Sequence, residues 1–199
     1  MSTANRSAVS APSQPRVRAL VVAGLAVCFA ATSCVVQGSR ASGMATLAEP
    51  VPRAATRGAG AIVVASADGG RETNPISRSQ VSSDELKRAL EMSLQRAGYL
   101  APDSSRAGIA MRATLVSLGE PKGWLTFSVT SVVRYHAVNI PTGATMMDDT
   151  VVSVGKASLS DAFLGVTRVR LANEASIRGS LDTLLKRLPA ALARGSPED

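Results

Sequence analysis

Apolar and polar residues alternate regularly in the C-terminal two-thirds of the chain. Residues 61–65 form a short apolar run typical of a buried strand, and residues 109–116 and 125–135 place apolar side chains at every second position. A fourth strand, residues 146–155, follows the turn formed by residues 141–143. The pattern therefore predicts four β-strands, the later ones with one apolar and one largely polar face.

Two further segments have the 3.6-residue period of an amphipathic helix. In the first, Ser82 can cap the helix, Glu85 can reach back as the other half of a capping box, and Gly98 ends the helix. The second begins near Ser160 and ends before Pro189.

The element order is thus β-α-β-β-β-α. Strands with a single apolar face favour an antiparallel sheet that is covered on one side only. We expect an α+β two-layer sandwich, in which two helices cover one face of a mainly antiparallel four-stranded sheet. This domain would span residues 61–190, with residues 191–199 as a disordered tail.

The N-terminus follows the pattern of a secretory signal. A polar stretch with three arginines precedes an uncharged apolar stretch, residues 19–32, and small residues then lead to Cys34. This ending resembles the lipobox of bacterial lipoproteins. The resemblance implies that residues 1–33 are removed as a signal peptide and that Cys34 is acylated and becomes the mature N-terminus.

Such an anchor would attach the protein to a membrane through the lipid on Cys34. Val35 stands where lipoproteins kept at the inner membrane tend to carry Asp, so the resemblance implies the outer membrane, on its periplasmic face. Two other outcomes stay open: a soluble periplasmic form cut near Ala31, and an uncleaved anchor in the inner membrane over residues 19–39. Residues 34–60 are rich in Ser, Ala, Gly, Pro and Arg, and this composition predicts a flexible tether.

Charge and cysteine content exclude several classes of partner and site. The net charge of +7 is spread along the chain without a run of like charges, which argues against a nucleic-acid partner. Both cysteines, Cys28 and Cys34, precede the predicted domain, so the domain has neither a disulfide nor a thiolate metal site.

Catalytic patterns are equally scarce. His136 is the single histidine, and we interpret it as a surface residue of a strand. Asp148 and Asp149 are neighbours on a strand, so they point to opposite faces and cannot form an acid/base pair. The turn at residues 67–70 lacks the lysine of a phosphate-binding loop. We therefore expect no catalytic residues, no metal, no cofactor and no enzymatic activity.

One segment of the last helix concentrates polar residues on one flank. Arg170, Asn173, Glu174 and Arg178 lie at helical spacing, and oppositely charged members can pair at i, i+4. Three interpretations stay open: an ion network satisfied within the domain, a docking face for a protein partner, and a ligand site. We expect these side chains at or near the surface.

The element order, the helix SDELKRALEMSLQRAGYL, the hairpin VTSVVRYHAVNIPTGATMMDD and the signal ending in cysteine together resemble a known group. They are similar to the small periplasmic outer-membrane lipoproteins of the YajG, LptE and PqiC (ABC-transport auxiliary lipoprotein) kind. The resemblance implies a non-enzymatic envelope lipoprotein that binds or scaffolds a periplasmic or outer-membrane protein in assembly or transport. The alternative is a lipid or glycolipid carrier with an apolar cavity between helices and sheet.

Overall fold

The computed structural model describes residues 37–47, 58–72 and 80–194. The chain divides into two units, Met1–Cys34 and Val35–Asp199, and all the described residues belong to the second. The predicted signal peptide and Cys34 therefore lie outside the described residues. The described elements, in chain order, are α1 (Ala41–Met44), β1 (Ile62–Asp68), α2 (Ser83–Arg96), β2 (Ile109–Leu118), β3 (Phe127–Asn139), β4 (Thr145–Ala157) and α3 (Gly165–Arg194).

The four strands form one sheet in the order β1-β2-β3-β4. β1 and β2 are parallel because α2 connects them as a crossover, whereas β2, β3 and β4 pair antiparallel through short connections. α2 and α3 cover one face of this sheet. The predicted fold class, an α+β two-layer sandwich, is confirmed.

The helix α2 has the predicted ends. The Ser82 hydroxyl accepts a hydrogen bond from the Glu85 backbone N–H at 3.3 Å, which satisfies one of the free donors of the first turn. Gly98, at φ +78°, ends the helix in the left-handed conformation that glycine adopts without strain. The following residue, Tyr99, donates its backbone N–H to the Leu94 carbonyl and is buried.

The core lies between the sheet and the two helices. Its largest fully buried side chains come from both layers: Tyr99, Tyr135, Met44, Ile62, Leu86, Leu90, Leu94, Met111, Ile177, Leu181, Leu184 and Leu188. The layers approach closely at Gly155, where a Cβ atom would overlap backbone atoms of Ala172 and Ser176. Only glycine therefore allows α3 to pack so near to β4.

The bounds of α3 differ from the prediction at both ends. It starts at Gly165 because Asp161 caps a turn instead: its carboxylate accepts hydrogen bonds from the backbone N–H and the hydroxyl of Ser158. It continues through Pro189 to Arg194, so residues 191–194 are not a disordered tail. Leu192 continues the buried stripe of the helix, and its burial offsets the hydrogen bond that proline cannot donate.

The predicted tether is wrong for residues 39–46. Within this segment α1 forms a short helix, and Met44 and Ala45 are completely buried. We call residues 39–46 the strap. It packs against both α2 and α3, and it therefore belongs to the core layer that the sequence pattern assigned to those two helices alone.

Candidate docking surface

The four residues predicted as a docking flank lie on α3, but the predicted surface position is wrong for two of them. Asn173 and Glu174 are buried, at 2% and 3% exposure, while Arg170 and Arg178 are partly buried. The predicted i, i+4 pairing is present, because Arg170 Nη1 lies 3.4 Å from Glu174 Oε1. A buried carboxylate needs further hydrogen bonds to offset its lost hydration.

The strap supplies those bonds. The backbone N–H of Arg40 donates to Glu174 Oε1 at 2.9 Å, and Arg178 donates through Nη2 to the Gly43 carbonyl. Gly43 leaves space for this approach, because a Cβ atom there would overlap the Glu174 carboxylate in its present position. The flank is therefore an internal binding site for the strap, and of the three interpretations the ion network within the domain fits its contacts.

The helix α2 contributes a second carboxylate. Glu85 Oε2 accepts the Ala41 backbone N–H at 2.6 Å, and its other oxygen lies 2.9 Å from Arg88 Nη1. Glu85 thus caps the first turn of α1, where we had expected it to reach back to its own helix as a capping-box partner. This hydrogen bond joins residues 44 positions apart, so no local sequence pattern could predict it.

The other end of the strap is fixed at Thr46. Its backbone N–H donates to the Ser93 hydroxyl at 3.1 Å, and its carbonyl accepts from Arg96 Nη1 at 2.6 Å. The Thr46 hydroxyl also donates to Asp182 on α3. Side chains of both helices therefore hold the strap along its whole length, and this side of the domain is already occupied.

The opposite face of the sheet is covered by none of the described elements. We call it the uncovered face and define its apolar part by Val116, Val132, Val152 and Val154. Val132 pairs with Val152 across β3 and β4. On its other side Val132 pairs with Ser117 of β2, and Val116 lies next to Ser117 at a bulge of that strand. Val152 is 65% exposed, Val116 59% and Val154 54%.

Charged residues border these valines. Arg134 and Asp148 are diagonal neighbours across β3 and β4, since Arg134 pairs with Thr150 and Asp148 with His136. They form a two-pronged ion pair, with Nε–Oδ1 2.7 Å and Nη2–Oδ2 2.5 Å. The hydrogen bonds from Arg134 hold the pKa of Asp148 below its ordinary value, and the positive charge adds to the effect. The uncovered face thus combines an exposed apolar centre with a charge pair that is fixed in one geometry.

These valines were not predicted as a candidate site, although the sequence of β4 contains a signal for them. Val151 and Val152 are adjacent and Val154 follows, so this strand is apolar on both faces. In a sheet covered on one side, the second apolar face has to be exposed. That combination identifies the uncovered face without knowledge of the three-dimensional structure.

The predicted interpretation of the few chemistry-bearing residues agrees with their positions. Asp148 and Asp149 do point apart: Asp149 pairs with Arg187 on α3 at 2.5 Å, while Asp148 pairs on the uncovered face. His136 is partly exposed on the face opposite the core. Among the described residues no cluster of His, Cys, Asp and Glu could hold a metal ion.

The predicted lipid attachment site, Cys34, lies outside the described residues. In the ranges that the structure describes, no helix has the length and apolar character needed to cross a membrane.

No protein-family model matches this chain, and no curated protein matches it either. Among solved structures, protein XCC0632 from Xanthomonas campestris, of the DUF330 family, has a TM-score of 0.57 at 13% identity. The match covers 77% of this chain and 96% of that one, so the two share a fold over nearly the whole of the smaller protein.

Two further structures overlap less closely. A candidate lipoprotein from Caulobacter crescentus has a TM-score of 0.43 at 14% identity, over 56% of this chain and 82% of that one. Lipoprotein GNA1162 from Neisseria meningitidis has a TM-score of 0.35 at 10% identity, over 67% and 97%. At these values only the first likeness supports the fold.

Proposed function

We propose that this chain is a lipid-anchored protein of the bacterial cell envelope, attached through Cys34 to the periplasmic side of the outer membrane. Its domain is a non-enzymatic binding or scaffold module, and its partner is a periplasmic or outer-membrane protein. The partner docks on the uncovered face, not on the flank of Arg170 and Glu174.

The exposed valines of the uncovered face carry this proposal. Exposed strand faces in antiparallel sheets are normally polar, whereas Val132, Val152 and Val154 lie side by side with no covering element. Contiguous exposed apolar side chains with a polar rim mark protein interaction sites. A complementary partner would present a flat apolar surface to the valines and polar groups to the Arg134–Asp148 pair.

The proposed anchor is inferred from the N-terminal sequence. The strap shortens the stretch of chain between that anchor and the folded domain. Ser39 is the first residue of the strap, and it donates its backbone N–H to the Gln80 carbonyl at 3.0 Å. Ser39 is five positions after Cys34, a distance of at most about 17 Å at 3.4 Å per position. The domain is therefore held close to the membrane surface, closer than a tether extending to residue 60 would allow.

The strap argues against the carrier alternative. A lipid carrier of this architecture needs an apolar cavity between the helices and the sheet, and the space between α2 and α3 is filled by Met44 and Ala45. We therefore favour the binding module.

Mass spectrometry of the mature N-terminal peptide tests the anchor. We expect the peptide to start at Cys34 and to carry acyl chains, and we expect Cys34→Ala to lose them. Cys28→Ala is the matched control, since Cys28 lies within the apolar part of the signal, and it should be acylated normally. A mature chain that starts elsewhere, or acylation that survives Cys34→Ala, would exclude this anchor.

Photo-crosslinking in the native host tests the docking surface. A photoreactive amino acid at position 152 should give a discrete protein adduct, and the same probe at Glu91, on the solvent side of α2, should give none. Adducts from position 91 together with none from positions 152 and 154 would assign docking to the helical side and overturn the proposal.

A further inference from the structure

Large apolar side chains are exposed at one end of the domain, in two loops. The loop between β2 and β3 carries Trp124, and the loop between β4 and α3 carries Phe163 and Leu164. Trp124 is 79% exposed and Phe163 87%. We call this set the apolar tip; its further exposed members are Leu125, Leu159 and Val166.

The two loops form one surface because Arg168 joins them. Its Nη1 donates to the Leu125 carbonyl at 3.0 Å, and its guanidinium lies 5.2 Å from the ring centroid of Phe127, the first residue of β3. Arg168 itself belongs to the first turn of α3, directly after the loop that carries Phe163. The side chains of the tip therefore project from one end of the sheet, held at their base by a buried arginine.

The strap leads toward the same end. Thr46 contacts α3 at Asp182, and Arg40 contacts it at Glu174, so the chain approaches the start of α3 as it runs back toward Cys34. Ser39 is bonded just before α2, whose start lies at the same end of the sheet as the ends of β1 and β2.

The chain between Arg40 and Cys34 is long enough to cover the distance from Glu174 to the start of α3. Glu174 is nine residues from Gly165, which is about 14 Å along the axis of α3. Six residues lead from Arg40 to Cys34 and can span up to about 20 Å. This stretch is therefore long enough for a lipid on Cys34 to reach the level of the apolar tip.

We propose that the apolar tip inserts into the interfacial region of the phospholipid bilayer that anchors the chain. This inference rests on the acylation of Cys34 in the proposed function. Trp124 suits this location, because an indole buries its ring while its N–H stays near the headgroups. Lipid and tip then form two attachment points, and they hold the uncovered face sideways to the membrane, accessible to a partner.

Insertion depends on apolar burial, not on attraction to anionic lipids. The two tip loops carry Lys122 against Glu120 and Asp161, so they have no positive excess. The tip should consequently enter vesicles of a neutral lipid such as phosphatidylcholine.

Trp124 provides the probe, because it is the only tryptophan of the chain. The full protein, purified from membranes in its acylated form, is reconstituted into phosphatidylcholine vesicles with or without bromine atoms on the upper acyl chains. We expect a blue-shifted Trp124 emission that brominated lipid lowers at least twofold. The double variant Phe163→Asp, Leu164→Asp should lose most of this quenching.

Ile140→Asp is the matched control, since Ile140 is also exposed but lies in the β3–β4 turn at the other end of the sheet. It should leave the quenching unchanged. Unquenched, red-shifted emission from protein whose Cys34 carries acyl chains would overturn the insertion and assign the tip to a protein partner. Absence of acyl chains would instead overturn the anchor of the proposed function, and the inference with it.

Discussion

A single buried carboxylate, that of Glu174, connects the strap to the rest of the domain. It accepts the Arg40 backbone N–H and the Arg170 guanidinium, and it lies against Gly43 without room for a Cβ atom. Hydrogen bonds to buried charged groups contribute more to stability than those between neutral groups. Substitution of Glu174 and of Gly43, singly and together, separates the carboxylate's hydrogen bonds from its close packing.

We expect Glu174→Ala to lower the free energy of unfolding by about 2–3 kcal/mol, since the Arg40 N–H loses its acceptor. Gly43→Ala should cost a similar amount in the wild-type chain and much less in the Glu174→Ala background, where the Cβ atom finds space. Urea unfolding of the four chains measures this cycle. Glu91→Ala, which removes an exposed pair with Lys87, is the control and should cost at most about 0.5 kcal/mol. Additive costs of the two substitutions would contradict the contact.

Tyr135 should make the stability of the fold depend on pH in the alkaline range. Tyr135 is completely buried and bonded to the Ser180 hydroxyl at 2.9 Å, and burial raises the pKa of its phenol well above the ordinary value of 10. Above pH 10 the unfolded chain releases a proton that the folded chain retains. The folded state is therefore favoured fully below that pH and loses stability as the pH rises further.

Wild-type protein should thus lose up to about 1.4 kcal/mol of unfolding free energy per pH unit above pH 10 through this one group. Tyr135→Phe should cost about 1 kcal/mol at neutral pH, because the bond to Ser180 is lost, and should show a shallower alkaline decline. Urea unfolding between pH 8 and 11 measures both slopes. Equal slopes would show that the Tyr135 phenol is not the responsible group.

At the scale of elements, the features that could be predicted from the sequence are those that depend on local patterns, namely helix ends and strand alternation. The cap at Ser82, the stop at Gly98 and the alternation in β2 depend on residues a few positions apart, and all three are confirmed. The strap has no such pattern, because its short run of small residues packs against partners that are distant in the sequence. Arg40 and Glu174 are 134 positions apart. The burial of Asn173 and Glu174 was not predicted for the same reason, since the partners of Glu174 include the distant strap.

Two nearby residues, Met44 in the strap and Leu47 just after it, differ in burial and should therefore differ in their contribution to stability. Met44 is completely buried and Leu47 is 80% exposed. Met44→Ala should lower the free energy of unfolding by about 2–4 kcal/mol, as expected for a core methionine, and Leu47→Ala should change it by less than about 0.5 kcal/mol. Urea unfolding compares the two. A negligible effect of Met44→Ala would restore the predicted tether.

At the scale of the whole molecule, the strap moves the start of the folded domain. The sequence pattern placed that start at residue 61, but residues 39–46 occupy the space between α2 and α3 and provide the partners of Glu85 and Glu174. The proposed anchor at Cys34 and the fold are thus adjacent in the chain. With Cys34 acylated as proposed, tension on the N-terminus would act directly on a core element, not on an independent linker.

Truncation tests this boundary. A chain that begins at residue 35 keeps every described contact, so it should unfold cooperatively with the same free energy as the full-length protein. A chain that begins at residue 48 should lose its fixed tertiary structure, because it leaves two carboxylates without their backbone donors and opens the site of Met44 to water. Near-ultraviolet circular dichroism with urea unfolding distinguishes the outcomes. If the shorter chain unfolds as cooperatively as the longer one and with equal free energy, the strap is dispensable and the domain starts after it.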